Sequence, residues 1–191
     1  HYPGSDMTDQ PNTTTAQSTD VPDVADREVL TWEGFGVASR ELTQQIVDSG
    51  WIPELIVAIA RGGLIPAGAI SYAMDVKACG TMNVEFYTGV GETLEAPILL
   101  PPLMDISAME GKRVLVVDDV ADSGKTLKMV MDMIAEEGLS LDGENQVKVD
   151  ARSVCIYKKS RSIITPDYIW AETDKWINFP WSTLPTITAN A

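Results

Sequence analysis

At 191 residues the chain is long enough for one domain with a full hydrophobic core, and 45% hydrophobic with 22% charged residues is a globular balance. A formal net charge of -14 argues against a nucleic-acid partner, which wants a basic face, and leaves any anionic ligand dependent on local donors. Cys79 and Cys155 make neither a disulfide framework nor a zinc site, and no apolar run reaches the roughly 20 residues of a membrane span, so a cytoplasmic protein without a membrane partner is expected.

The first six residues, HYPGSD, precede Met7 and read as the remnant of an expression tag; the only histidine, His1, goes with them. Residues 7–28 are Thr- and Pro-rich with few large apolar groups. Residues 1–28 are therefore expected to be tag remnant and disordered extension, and 29–191 the folded domain. No secretory signal is expected, because the N-terminus is polar and has no apolar core segment.

Thr31 is placed to cap a helix over 32–47, where Trp32, Phe35, Ala38, Leu42 and Ile46 recur at helical spacing. Gly34 and Gly36 weaken its first turns, and Ser49-Gly50 ends it. LIVAIA, at 55–60, is an apolar run of strand length, followed by an Arg61-Gly62-Gly63 turn. A second helix is predicted over 64–74, with Pro66 in its first turn. Residues 77–87 contain a second strand and 114–117 a third. A helix follows over 126–137, stopped at Gly138, then a fourth strand over 147–157 and a short fifth over 168–171. Apolar strands separated by helices predict an α/β fold with a mostly parallel central sheet flanked by helices. Such sheets bind ligands at the carboxyl ends of their strands, which is where 61–63 and 118–126 fall. Residues 88–110 hold two glycines and three prolines with no clear period, and a lid loop over the site is expected there.

Residues 116–126 read VVDDVADSGKT, which ends like the phosphate loop GxxxxGK[ST]. That pattern needs a glycine at position 119 so that backbone can curl around the phosphates. Asp119 stands there instead and would bring a negative charge toward them. An ATP loop is thereby set aside. A strand ending in Asp118 and Asp119 offers acceptors for sugar hydroxyls and neighbours for a hydrated Mg²⁺. The small and hydroxyl residues that follow (Ala121, Asp122, Ser123, Gly124, Thr126) open a helix, whose N-terminal N–H groups make an anion site. A phosphate is expected on 123–126 and vicinal diols on the acid pair, an arrangement that fits a five-carbon sugar with a 5′-phosphate. A capped helix with Asp122 as the cap would explain one acid and not three.

With these residues in view, VLVVDDVADSGKT resembles the signature of the type I phosphoribosyltransferases, which bind 5-phosphoribosyl-1-pyrophosphate (PRPP). The resemblance implies that Asp118 and Asp119 hold the ribose and, indirectly through its hydroxyls or water, Mg²⁺. It places the 5′-phosphate on Ala121, Ser123, Gly124, Lys125 and Thr126, and makes Asp122 an acid/base group near the purine N7. Ala121 is smaller than the aliphatic residue usual there. Ala60-Arg61-Gly62-Gly63 resembles the family's pyrophosphate loop: glycines admit backbone N–H groups to a diphosphate and an Arg adds charged donors. The family often has a cis peptide just before that Arg.

Residues 174–181, DKWINFPW, resemble the hood of 6-oxopurine phosphoribosyltransferases, especially bacterial xanthine/guanine enzymes. There Trp176 would stack on the purine and Ile177 would offer its carbonyl to the base edge. Trp176 and Trp181 also admit a plainer reading as core aromatics. Lys158, with Lys159 the close alternative, matches a lysine that donates to O6 and so favours a 6-oxo over a 6-amino purine. Ser182 and Thr183 stand where related enzymes carry an acid near pyrophosphate and metal. The lid lacks the usual Ser-Tyr pair or basic group and offers Tyr87, Thr88 and Thr93. The resemblance covers roughly 31–182, with the hood at 159–185. It implies a Mg²⁺-dependent purine phosphoribosyltransferase that forms dimers or tetramers. The alternatives are transfer to a pyrimidine or orotate, and a PRPP-sensing regulator without catalysis.

Overall fold

The computed structural model describes residues 24–84, 110–140 and 145–190. Its chain order is β1 (Arg27–Val29), α1 (Trp32–Asp48), β2 (Leu55–Ala60), α2 (Leu64–Met74), β3 (Cys79–Asn83), β4 (Arg113–Ala121), α3 (Lys125–Glu137), β5 (Leu139–Ser140), β6 (Gln146–Val147), β7 (Asp150–Lys158), β8 (Tyr168–Glu172) and β9 (Trp176–Asn178). The central sheet has five strands in the order β3-β2-β4-β7-β8. Every pairing in it is parallel.

Alternation along each strand divides the apolar side chains between two cores. Ile56 and Ala58 of β2, Leu115 and Val117 of β4, and Val154 and Ile156 of β7 pack with Phe35, Leu42 and Ile46 of α1 and Ile70 of α2. Leu55, Val57 and Ile59, with Val114 and Val116, face the other way onto Leu127, Val130 and Ile134 of α3. Burying such a side chain stabilises the fold by about 1.5–3 kcal/mol, so the two cores fix where the strand ends lie. Thr31 caps α1 as its position suggests: its hydroxyl accepts from the Gly34 N–H at 3.0 Å.

Three features depart from the sequence expectations. β4 does not end at Val117 but runs on through both acids to Ala121, because parallel pairing with β7 continues at Asp118↔Cys155, Val120↔Tyr157 and Ala121↔Lys158. The apolar stretch from 147 is not one strand. Lys148 and Val149 leave the ladder, the Lys148 carbonyl accepting from Gly111 N–H at 2.8 Å, and Gln146–Val147 instead pair antiparallel with β5. A second small sheet joins β1 to β9 in parallel, with Glu28 opposite Ile177. Behind it Phe179 and Trp181 stack at 4.9 Å, and Trp181 meets the edge of Phe35 at 5.4 Å. Trp181 is thus a packing aromatic that ties this sheet to α1. The expected lid, 88–110, lies outside the described residues apart from Glu110, as do Tyr87, Thr88 and Thr93.

Candidate active site

The turn after β2 and the end of β4 meet because the strands are neighbours and parallel. The Ala60–Arg61 peptide is cis, as the resemblance implied. The turn then closes with Gly63 N–H donating to the Ile59 carbonyl at 2.8 Å and Leu64 N–H to the Arg61 carbonyl at 3.0 Å. Both glycines are needed for space. A Cβ at Gly62 would run into the Asp119 carboxylate, and one at Gly63 would strike the carbonyls of Val117 and Ile59. The turn backbone therefore lies directly against Asp119.

The two acids sit in a mutually unfavourable setting. Asp118 Oδ1 accepts from Asp119 N–H at 2.8 Å, and Asp119 Oδ1 from Val120 N–H at 2.8 Å. Burial raises the Asp118 pKa from its ordinary 3.8 to about 8, and the neighbouring Asp119 charge adds to the rise. Burial also raises Asp119, against hydrogen bonds from Asp118 and the Val120 N–H that pull it down. Beneath them the Cys155 thiol is pushed well up, first by burial and then by both carboxylates. A ligand bringing hydroxyl donors or positive charge relieves this crowding.

Next to the acids is the phosphate-loop candidate. Gly124, at φ 75°, is the N-cap of α3 and makes no side-chain cap bond. Asp122 is therefore not the cap. Ser123 contributes its hydroxyl, which accepts from Lys125 N–H at 3.3 Å. The first N–H groups of α3 have no partner within the helix, and its dipole puts partial positive charge at that end. The loop is buttressed from behind by the segment after β7: Lys159 N–H donates to the Ala121 carbonyl at 3.0 Å and Ile163 N–H to the Ser123 carbonyl at 2.9 Å.

These parts line one cleft of about 360 Å³, made by residues 59–62, Val84, 118–124, Thr126 and Leu127. It unites Ala60, Arg61 and Gly62 with Asp118, Asp119, Ala121, Asp122, Ser123, Gly124 and Thr126. Lys125 is exposed and is not in the lining. Nor are Lys158, Trp176 and Ile177. Lys158 ends β7 in register with Ala121 and Glu172, and its ammonium donates to the Lys159 carbonyl at 3.3 Å. Trp176 is 55% exposed on β9, so it is not a core aromatic. Among the described residues no group of three or more His, Cys, Asp or Glu side chains is disposed to hold a metal ion.

One functional candidate was not foreseen. Arg161 Nε donates to Asp122 Oδ1 at 2.7 Å, and its Nη2 pairs with the same oxygen. The only hint in the sequence was the Lys-Lys-Ser-Arg-Ser string, read there for its lysines.

The fold and the cleft together define a class: a parallel α/β protein with two backbone loops flanking an acid pair at its strand ends. The family follows from comparison with known proteins. Residues 26–185 match the phosphoribosyl transferase domain, and the chain belongs to that family of transferases. It is 29% identical over 158 residues to the xanthine-guanine phosphoribosyltransferase of Gluconobacter oxydans (strain 621H), covering 82% of this chain and 84% of that one. The xanthine-guanine phosphoribosyltransferase of Idiomarina loihiensis is 27% identical over 155 residues, 80% of this chain and 84% of the relative. Among solved structures, the purine phosphoribosyltransferase from Pyrococcus horikoshii Ot3 superposes with a TM-score of 0.65 at 32% identity, covering 86% of this chain and 99% of that one.

Proposed function

We propose that the protein transfers the 5-phosphoribosyl group of PRPP to N9 of a 6-oxopurine (hypoxanthine, guanine or xanthine), releasing pyrophosphate and giving a nucleoside 5′-monophosphate. The observation that carries this reading is the one cleft in which the 60–62 turn, the acid pair, residues 121–124 and Thr126 converge. The names of the relatives support the purine.

In this reading N9 bonds to C1 of the ribose as the C1–oxygen bond to pyrophosphate breaks. Arg61 and the N–H groups of its turn take up charge on the leaving diphosphate. Asp118 and Asp119 accept from the ribose hydroxyls, and the 121–126 loop holds the 5′-phosphate. Asp122 takes the proton that the purine ring gives up. Trp176 stacks on the base, Ile177 offers a carbonyl to its edge, and Lys158 donates to O6. The crowded acid pair fits Mg²⁺ held through water or the ribose hydroxyls. When bound, the ion offsets charge on the diphosphate.

A panel of bases with PRPP and Mg²⁺, followed by ultraviolet spectra, tests the assignment. Turnover is expected with at least one of hypoxanthine, guanine and xanthine, and not with adenine, uracil or orotate. Turnover on orotate alone would move the protein to another substrate class, and tight PRPP binding without turnover on any base would make it a sensor. A narrower prediction concerns the turn. Gly62→Ala forces the Asp119 carboxylate aside. A hydrogen bond to a charged carboxylate is worth about 1.5–3 kcal/mol, so with Asp119 displaced the PRPP affinity measured by calorimetry should fall on the order of tenfold or more. Unchanged affinity would mean that the position of Asp119 is unimportant for the ligand.

A further inference from the structure

Among the described residues Asp122 is held by one side chain, and the way it is held has a direction. Arg161 Nε donates to Asp122 Oδ1 at 2.7 Å, and Nη2 pairs with that same oxygen. Both contacts fall on Oδ1, no partner of Oδ2 is seen among the described residues, and Asp122 lines the cleft. The guanidinium is presented by a segment pinned on both flanks. Lys159 N–H binds the Ala121 carbonyl at 3.0 Å and Ile163 N–H binds the Ser123 carbonyl at 2.9 Å, one rung on either side of Asp122. Between those rungs, Ser160 N–H and hydroxyl donate to Asp174 at 2.8 and 2.9 Å, which ties the same segment to the chain entering β9.

From this geometry we infer that Arg161 is a positioning residue for Asp122. It fixes the rotation of the carboxylate by gripping Oδ1, which turns Oδ2 toward the purine as the proton acceptor. The pair is half exposed, with side-chain exposures of 67% for Arg161 and 45% for Asp122, so it contributes little to folding; its effect is orientation. Because the same segment carries Ser160, bound to Asp174 just before the Trp176 strand, the site of proton transfer and the candidate base platform share one support. The inference rests on the acid/base role proposed for Asp122.

The test compares wild type, Arg161→Gln, Arg161→Lys, Asp122→Asn and the double variant Arg161→Gln/Asp122→Asn, with kcat, the KM for PRPP and melting temperature for each. Arg161→Gln is expected to lower kcat about tenfold, short of the roughly 100-fold that misplacing reacting groups can cost, with the PRPP KM within about twofold. Arg161→Lys should recover part of that loss, since one donor can still reach Oδ1. In the Asp122→Asn background, Arg161→Gln should add no further loss, which a merely structural role would not produce. Wild-type kcat in Arg161→Gln, or a loss repeated in full on top of Asp122→Asn, overturns the positioning role alone. Wild-type kcat in Asp122→Asn instead overturns the role of Asp122 and this inference with it.

Discussion

Asp122→Asn should cut turnover at least ~100-fold, the lower end of what a positioned acid/base group supplies, while the KM for PRPP stays within a few-fold. The amide has the shape of the carboxylate and keeps an oxygen that can accept from Arg161, so the loop has no reason to move. Nor does the helix depend on the acid, since Gly124 occupies the N-cap of α3 and no side chain caps it. A surface change of this kind alters stability by less than about 0.5 kcal/mol, and melting should shift by no more than ~2 °C. What the amide cannot do is take a proton from the purine ring. Steady-state kinetics with PRPP and the preferred base, together with a thermal melt, separate these outcomes. A wild-type rate would remove Asp122 from the chemistry, and a collapse in melting temperature would move its role to the fold.

The sequence carried the middle of the sheet well because burial there is continuous. LIVAIA is apolar at every position and is bounded by Arg-Gly-Gly, so β2 and α2 fall at their expected ends. The convergence of the 60–62 turn with the acids was also legible, since both follow strands that a parallel sheet places side by side. The misreadings share a cause: pairing and side-chain contacts between distant segments leave no period in either one. β1 and β9 are three residues each and pair with one another. Two adjacent carboxylates read as the end of a strand, yet the backbone of β4 still pairs with β7 beneath them. Lys148 breaks an apolar stretch because Glu110 and Gly111 claim its backbone, which local composition does not reveal. The Arg161–Asp122 pair spans 39 positions and joins two exposed side chains, so nothing marked it beforehand.

Asp118→Asn is expected to stabilise the free protein and weaken it as a ligand-binding protein. Burial and the Asp119 charge raise the Asp118 pKa from 3.8 to about 8 in the fold. The folded chain therefore keeps a proton that the unfolded chain has already lost. Stability is full below the unfolded value of 3.8 and falls as pH rises toward about 8. Asparagine has no such proton and escapes that loss, while its side-chain oxygen can still accept from Asp119 N–H. In chelator and without ligand, the variant should match wild type near pH 4 and melt higher at pH 8. Each kcal/mol gained corresponds to roughly 2–4 °C for a chain of this size. PRPP binding should move the opposite way. A hydrogen bond to a charged group is worth about 1.5–3 kcal/mol, so affinity should drop roughly 10- to 100-fold. A buried acid pair that the free fold would be better without persists where a ligand needs it. Lower melting of the variant at pH 8 would show that the pair is not strained by charge in the fold, and undiminished PRPP affinity would take Asp118 out of the sugar site.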